Sequence, residues 1–256
     1  QRNWSTLLFR DFVSINHPMN VYLKDNKMTE MRNKVHTLFG EEAQRVTTLE
    51  MESLVRQIAH DCVDNRLVLA ISPTRSLPSK ETHGDVDIVY VPCKDVHFGQ
   101  AIKDVFKDRI VKTHSNGDVY SVLYNSVFLE KKVHVDFIKA TLDTFSTKLQ
   151  YFSYNDFSGI VGIFSKKLNF KYGSEGFFKR YQDKRGNWHD ILISRDLMVG
   201  LKILGFDPTR FHTIQTVDDI VEFMLSSNLM DSKYFTHSEM NQSDRKSVKR
   251  PVIEYV

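Results

Sequence analysis

The sequence predicts an α/β (α+β) fold in which a mixed sheet carries helices on one face and is followed by a mostly helical domain containing a β-hairpin. Three observations lead there. A capped amphipathic stretch runs directly into two short apolar runs, Leu67-Val68-Leu69-Ala70-Ile71 and Val86-Asp87-Ile88-Val89-Tyr90-Val91, each followed closely by proline. Alternating segments from Val119 to Tyr124 and from Val127 to Ile138 come after the turn dipeptide Asn116-Gly117, the pattern of antiparallel strands. Beyond about residue 140 the period changes to that of helices, apart from one hairpin.

Taken in order, the first element is a helix from about Met28 to Phe39, stopped by Gly40 and preceded by an aromatic-rich arm. Thr47-Thr48-Leu49-Glu50 forms a capping box, and Leu49, Leu54, Ile58 and Cys62 continue it as a helix to Asn65. The two apolar runs are neighbouring buried strands, the first ending at Ser72-Pro73. A helix is expected from about Phe98 to Lys107 and a strand near Ile110, before the alternating pair. Helices follow over Asp143 to Phe152 and Phe157 to Lys167. The hairpin arms are Gly176 to Gln182 and Trp188 to Ile193, joined by Lys184-Arg185-Gly186-Asn187. Ser194 is expected to cap a helix ending at Gly205, and Thr216 another running to about Ser226; the last fifteen residues are polar and basic. The chain thus divides into an N-terminal arm and helix (1–45), an α/β core (46–140) and a C-terminal helical domain with hairpin and basic tail (141–256).

Composition limits the function. A chain of 256 residues with 41% hydrophobic and 26% charged residues has the make-up of an ordinary globular protein. Its net charge is only +3, so a surface for nucleic acid has to come from local clustering and not from bulk charge. Cys62 and Cys93 lack zinc-module spacing, which points to a reducing compartment, cytoplasmic or another intracellular one, with an upstream targeting segment left open. No apolar run approaches membrane-spanning length, so no membrane partner is expected.

The residues that carry chemistry cluster around His83-Gly84-Asp85-Val86-Asp87 and Val133-His134-Val135-Asp136-Phe137. Side chains alternate along a strand, so Asp85 and Asp87 project to one side while Val86 and Ile88 enter the core. Two carboxylates in one small space repel each other unless a cation sits between them, and oxygen-only ligation suits Mg²⁺. Asp136, between apolar neighbours, brings a third carboxylate from another strand. Ser72 at a strand end, Arg75 and the polar loop Ser79 to Gly84 supply the hydroxyls, amides and charge that a triphosphate needs. His83 and His134 flank the aspartates, where each could bind a phosphate or a base as His83 is expected to, or be only a polar neighbour.

In that order, a serine, an arginine, Gly-Asp-x-Asp and an apolar-Asp-apolar strand, the chain resembles the DNA polymerase beta-like nucleotidyltransferase superfamily over residues 47 to 138. The resemblance implies a nucleotidyltransferase core that binds two Mg²⁺ ions, with Mn²⁺ as an alternative, and a nucleoside triphosphate. Asp85 and Asp87 would bind both metals, and Asp136 the one that activates the attacking hydroxyl. Ser72 and Arg75 would contact the terminal phosphates, with the backbone around Gly84 completing the cradle. The chain departs from the family in its turn, Ile71-Ser72-Pro73-Thr74, where a glycine is usual; proline has no amide hydrogen to offer a phosphate.

The acceptor is open at this stage. Lys166, Lys167, Lys171, Lys179, Arg180, Lys184 and Arg185 interleave with Tyr172, Phe178, Tyr181 and Trp188, a surface on which RNA or DNA could lay phosphates and bases. The plain alternative is a solvated hairpin with a half-buried aromatic face. A nucleic-acid 3′ hydroxyl is therefore the expected acceptor, beside two other readings: modification of a protein or small molecule, and a non-catalytic scaffold descended from the same fold. Oligomeric state is not legible. Asp95, Asp118, Asp183 and Asp190 fall at predicted ends and turns, where aspartate ordinarily satisfies backbone groups.

Overall fold

The computed structural model describes residues 38–235. Of the helix expected from about Met28 to Phe39, only Leu38 and Phe39 fall within this range, where they form a turn; the basic tail around Arg245 to Arg250 lies outside it. A short strand β1 (Val46–Thr47) leads into helix α1 (Thr48–Asp64), started by the expected box: Thr47 Oγ1 accepts from the Glu50 amide and the Glu50 carboxylate from the Thr47 amide. Such a cap contributes about 1 kcal/mol. α1 buries Leu54, Val55, Ile58 and Cys62; Leu49, expected on that face, is 76% exposed because the inward stripe begins a turn later.

Five further strands complete one mixed sheet with a helix between them. They are β2 (Val68–Pro73), β4 (Asp85–Pro92), β5 (Ile110–Asn116), β6 (Val119–Ser126) and β7 (Lys131–Lys139), in the order β2-β4-β7-β6-β5. β3 (Thr82–His83) pairs instead with β1, and α2 (Phe98–Phe106) precedes β5. β4 and β7 run parallel, and the remaining pairs of this sheet are antiparallel. Two boundaries differ from the sequence reading. β2 continues through Ser72-Pro73, which an edge strand tolerates because the missing amide faces no partner. Val127 to Glu130 form the turn between β6 and β7, with Glu130 at φ 53°, so the alternation there belongs to a turn and then a strand.

The expectation of helices on one face is corrected. Val86, Ile88 and Tyr90 of β4 and Val133, Val135 and Phe137 of β7 bury against Leu54 and Ile58 of α1 and Ile102 and Phe106 of α2. Residues of opposite parity, Val89, Val91 and Ile138, bury on the other face beneath Phe145, Leu149 and Phe152, which belong to or follow helix α3 (Phe145–Tyr151). The two central strands are apolar at both parities there, and such strands need cover on both sides.

The remainder packs around its own aromatic core. Helix α4 (Phe157–Lys167), strands β8 (Phe170–Gly173), β9 (Gly176–Gln182) and β10 (Trp188–Ser194), and helices α5 (Leu197–Ile203) and α6 (Val217–Leu225) surround Phe157, Phe164, Phe177, Leu201, Phe206 and Phe223. The expected hairpin is present as β9 and β10, and β8 extends it to three strands, order β10-β9-β8. α6 starts at Thr216 with a capping box, as expected. α5 is capped by Asp196 and not by Ser194, whose hydroxyl accepts from the Asp196 amide one step earlier. Leu77, from the loop between β2 and β3, is buried in this aromatic core. Loop 74–81 is therefore held by both cores.

Candidate active site

On its second face, the β4/β7 pair changes character along its length. Val89, Val91 and Ile138 are sealed under α3. One and two positions earlier in the same alternation stand Asp87 and Asp85 on β4 and Asp136 and His134 on β7. The parallel register sets Asp87 beside Asp136 and Asp85 beside His134. Ser121 of β6 is opposite Asp136 and is buried. The helix cover stops where the aspartates begin, so the polar end of a buried sheet forms the floor of a cleft.

Asp85, Val86 and Asp87 line this cleft of about 110 Å³ with Pro73, Thr74, Arg75, Ser76, Lys80, His83 and, from the other side, Phe152 and Asn155. Burial and then the neighbouring charges of Asp85 and Asp136 push the Asp87 carboxyl up to about 7. His134 and Lys80 pull the other way and do not balance it. The carboxylates thus carry more negative charge than this pocket neutralises. Oxygens of Asp85 and Asp136 and a ring nitrogen of His134 all lie within 4.8 Å of one another, a grouping able to hold a metal ion.

Backbone and side-chain ties fix the opposite wall. Thr48 at the start of α1 donates its hydroxyl to the Lys80 carbonyl (3.0 Å) and its amide to the Glu81 carbonyl (3.2 Å). Arg45 clamps Thr82 through its hydroxyl (3.0 Å) and carbonyl (2.8 Å). The Ser79 amide reaches the Gln215 carbonyl (3.1 Å), and the Thr74 amide the Asp87 carbonyl (3.0 Å). Lys80 is held among these groups; burial lowers its pKa, Arg45 adds to that, and the charges of Asp85 and Asp87 oppose it. An ammonium beside two carboxylates at the rim of a cleft is placed to meet an anion that arrives with a cation.

The residues singled out in the sequence come together unevenly. Asp85 and Asp87 line the cleft, and Asp136 adjoins Asp87 across the strand pair. Arg75 also lines it; its guanidinium is 3.0 Å from His212 Nδ1, its amide donates to Ser153 Oγ (3.1 Å) and its carbonyl accepts from Tyr154 (2.7 Å). Gly84 is the bend joining β3 to β4. His83 is buried with both ring nitrogens engaged, Nε2 with Thr48 Oγ1 (3.1 Å) and Nδ1 with Ser76 Oγ (3.4 Å). Burial, then Lys80 and Arg45, bring its pKa down to about 4, so it is a neutral brace between α1 and the loop. Ser72 lies apart: paired with Val89 in β2, it lines a neighbouring cavity of about 240 Å³ with Ser146, Gln150 and His212.

Sequence reasoning passed over Thr74, Ser76, Lys80 and Asn155 as individual contributors. Lys80 was visible, five residues before Asp85 in a polar loop. Asn155 carries no local signal, because only the packing of the second core brings it to the cleft. Tyr154 and Asn155 both take left-handed backbone, φ 59° and 56°, a costly arrangement for a bulky tyrosine that is anchored by its burial against Phe211. The cleft opens past Met51, Thr74, Arg75 and Ser76 into a wider groove of about 810 Å³, with apolar walls from Val55, Leu77 and Ile214.

Compared with known proteins, the sequence matches no family model and no curated protein.

Proposed function

We propose that the protein is a divalent-metal-dependent nucleotidyltransferase, which moves a nucleoside monophosphate from a nucleoside triphosphate to an acceptor hydroxyl and releases pyrophosphate. The observation that carries the reading is the register of β4 and β7, with Asp87 beside Asp136 and Asp85 two residues away, on a sheet face that faces a cleft. The motif resemblance supports it through the same three aspartates.

The residues present fit such a metal, since a surplus of carboxylate oxygens at one point is the donor set that Mg²⁺ or Mn²⁺ takes. When bound, the metal supplies charge for the attacking and leaving oxygens of an in-line displacement. The protein's own part is position and charge. Asp85 and Asp87 would hold the ion that comes with the triphosphate at the floor of the cleft, and Asp85 with Asp136 a second one. Lys80, Thr74, Ser76 and Arg75 offer an ammonium, hydroxyls and a guanidinium to phosphate oxygens along the wall. The acceptor oxygen forms a bond to the α-phosphorus as the bond to the bridging oxygen of the pyrophosphate breaks. Asp136 is assigned the acceptor's proton, taken on its carboxylate or passed to water. The apolar walls of the wider groove suit a base ring.

For the acceptor, the reading is a nucleic-acid 3′ hydroxyl. Trp188 is 54% exposed on the β9/β10 hairpin with Arg180 5.2 Å from its ring, a ring-and-cation pair that suits a stacked base of a single strand; Tyr181 lies on the other face beside His189. The test incubates the protein with Mg²⁺ and each α-labelled triphosphate in turn, against RNA, DNA, tRNA and protein, beside Asp85→Ala/Asp87→Ala. Label on a nucleic-acid 3′ end, absent with the variant, is the expected result. Label on protein moves the acceptor class, and no label on any acceptor overturns the proposal.

A further inference from the structure

The two histidines beside the aspartates are held in opposite ways. His83 spends both nitrogens on hydroxyls of the scaffold, Thr48 and Ser76. Among the described residues His134 has one hydrogen-bond partner, a carboxylate: its Nε2 is 2.8 Å from Asp136 Oδ1. Its side chain is 5% exposed, Phe39 lies edge-on to the ring at 5.0 Å between centroids, and Nδ1 is buried with no hydrogen-bond partner among the described residues. Two residues before Asp136 on β7 and in register with Asp85 on β4, it points Nε2 into the space those carboxylates share.

We propose that His134 is itself a ligand, through Nε2, to the cation held by Asp85 and Asp136, and that this nitrogen makes the site prefer a first-row transition ion such as Mn²⁺ over Mg²⁺. The inference rests on the metal-dependent reading above and names the ion that reading leaves general. Two ligands of one small divalent ion stand at most about 4.4 Å apart, twice a bond of roughly 2.2 Å, so a group spanning 4.8 Å closes on an ion with shifts of a few tenths of an ångström. Imidazole is a borderline nitrogen donor; Mg²⁺ prefers oxygen and gives up water reluctantly, whereas first-row transition ions take imidazole readily. The ring's Nε2 already stands at a carboxylate of the same group, so a small shift turns that contact into shared ligation. Asp87, outside the three-residue group, is left to bridge toward the substrate side of the cleft.

The test loads the protein with Mn²⁺ and records pulsed electron paramagnetic resonance, which detects a ligated ¹⁴N nucleus directly. Wild-type protein is expected to show imidazole ¹⁴N modulation, retained in His83→Gln and lost in His134→Gln. Competition with Mg²⁺ should show His134→Gln lowering Mn²⁺ affinity about tenfold more than Mg²⁺ affinity. Where His134→Gln does not fold, the wild-type and His83→Gln spectra decide the matter alone. Mn²⁺ bound without ¹⁴N modulation, or with equal losses of both ions in His134→Gln, overturns the nitrogen ligand while leaving the metal-dependent reading standing. Failure of the wild-type protein to bind either ion overturns both.

Discussion

The carboxylates of the β9/β10 hairpin and those of the β4/β7 cleft meet opposite fates. Asp190 is bracketed by Lys171 (3.0 Å) and Arg180 (2.9 Å), and Asp183 accepts from the amides of Arg185 and Asn187 and pairs with His189. The His189 and Asn187 contacts bring the Asp183 pKa down to about 2. In the cleft, Asp87 is pushed up to about 7 by burial and by two further aspartates. Each hairpin acid is met by neighbouring cations or amides, so these acids serve the fold. The cleft leaves its balance open, and that is the observation on which the proposed cation site rests.

The largest effect expected is on activity. Asp136→Ala, which removes a ligand only of the ion shared with Asp85 and His134, should lower label transfer by at least ~10²-fold while triphosphate binding through the ion at Asp85 and Asp87 changes little, measured by single-turnover transfer beside calorimetry. Asp190→Ala should leave transfer chemistry within a few-fold. Equal loss of binding and transfer in Asp136→Ala would remove its assigned place beside the acceptor.

Stability should separate the regions in the opposite direction. Without metal at pH 8, Asp87→Asn should stabilise the protein by on the order of 2 kcal/mol, because it removes a charge that burial and two like neighbours disfavour. Asp190→Asn should destabilise by about 0.5–1 kcal/mol, because it leaves Lys171 and Arg180 without their partner. Denaturant midpoints with unchanged slopes would read both, and the same sign for both would end the contrast.

The pH dependence follows from two groups of opposite sign. Asp87 has its folded pKa raised to about 7 from 3.8, so the folded state binds the extra proton and stability falls as pH rises through that window. His83 has its folded pKa lowered to about 4 from 6.5, so the unfolded state binds the extra proton and stability rises with pH over the window between. In metal-free protein the two slopes oppose each other. Asp87→Asn should expose the rising slope between about pH 4 and 6.5, and His83→Gln the falling one up to about pH 7. Urea titrations across pH would show it, and identical profiles in both variants would deny the assigned environments.

Much of this fold was legible because its signals are local. The Thr47 and Thr216 caps, the bounds of α4 and the Asn116-Gly117 turn each depend on a few adjacent residues. The parity of Asp85 and Asp87 on one strand was likewise readable. Features set by distant packing were not. Helix cover on the second face of β4 and β7, the arrival of Asn155 at the cleft, and the anchoring of Leu77 in the second core all join segments far apart in the chain. Ser72 lines the neighbouring cavity because an edge strand tolerates the proline after it, so the strand continued past the expected turn. His83 and His134 look alike in sequence, and only their partners tell a brace from a candidate ligand.

The most direct test of the open charge balance is calorimetric titration of metal-free protein at pH 7.5 with Mg²⁺ or Mn²⁺ and a non-hydrolysable triphosphate, repeated in buffers of different ionisation enthalpy. Triphosphate binding that requires the metal and releases protons, both abolished in Asp85→Ala/Asp87→Ala, is the predicted result. Triphosphate binding that ignores the metal, or no binding at all, would contradict the account.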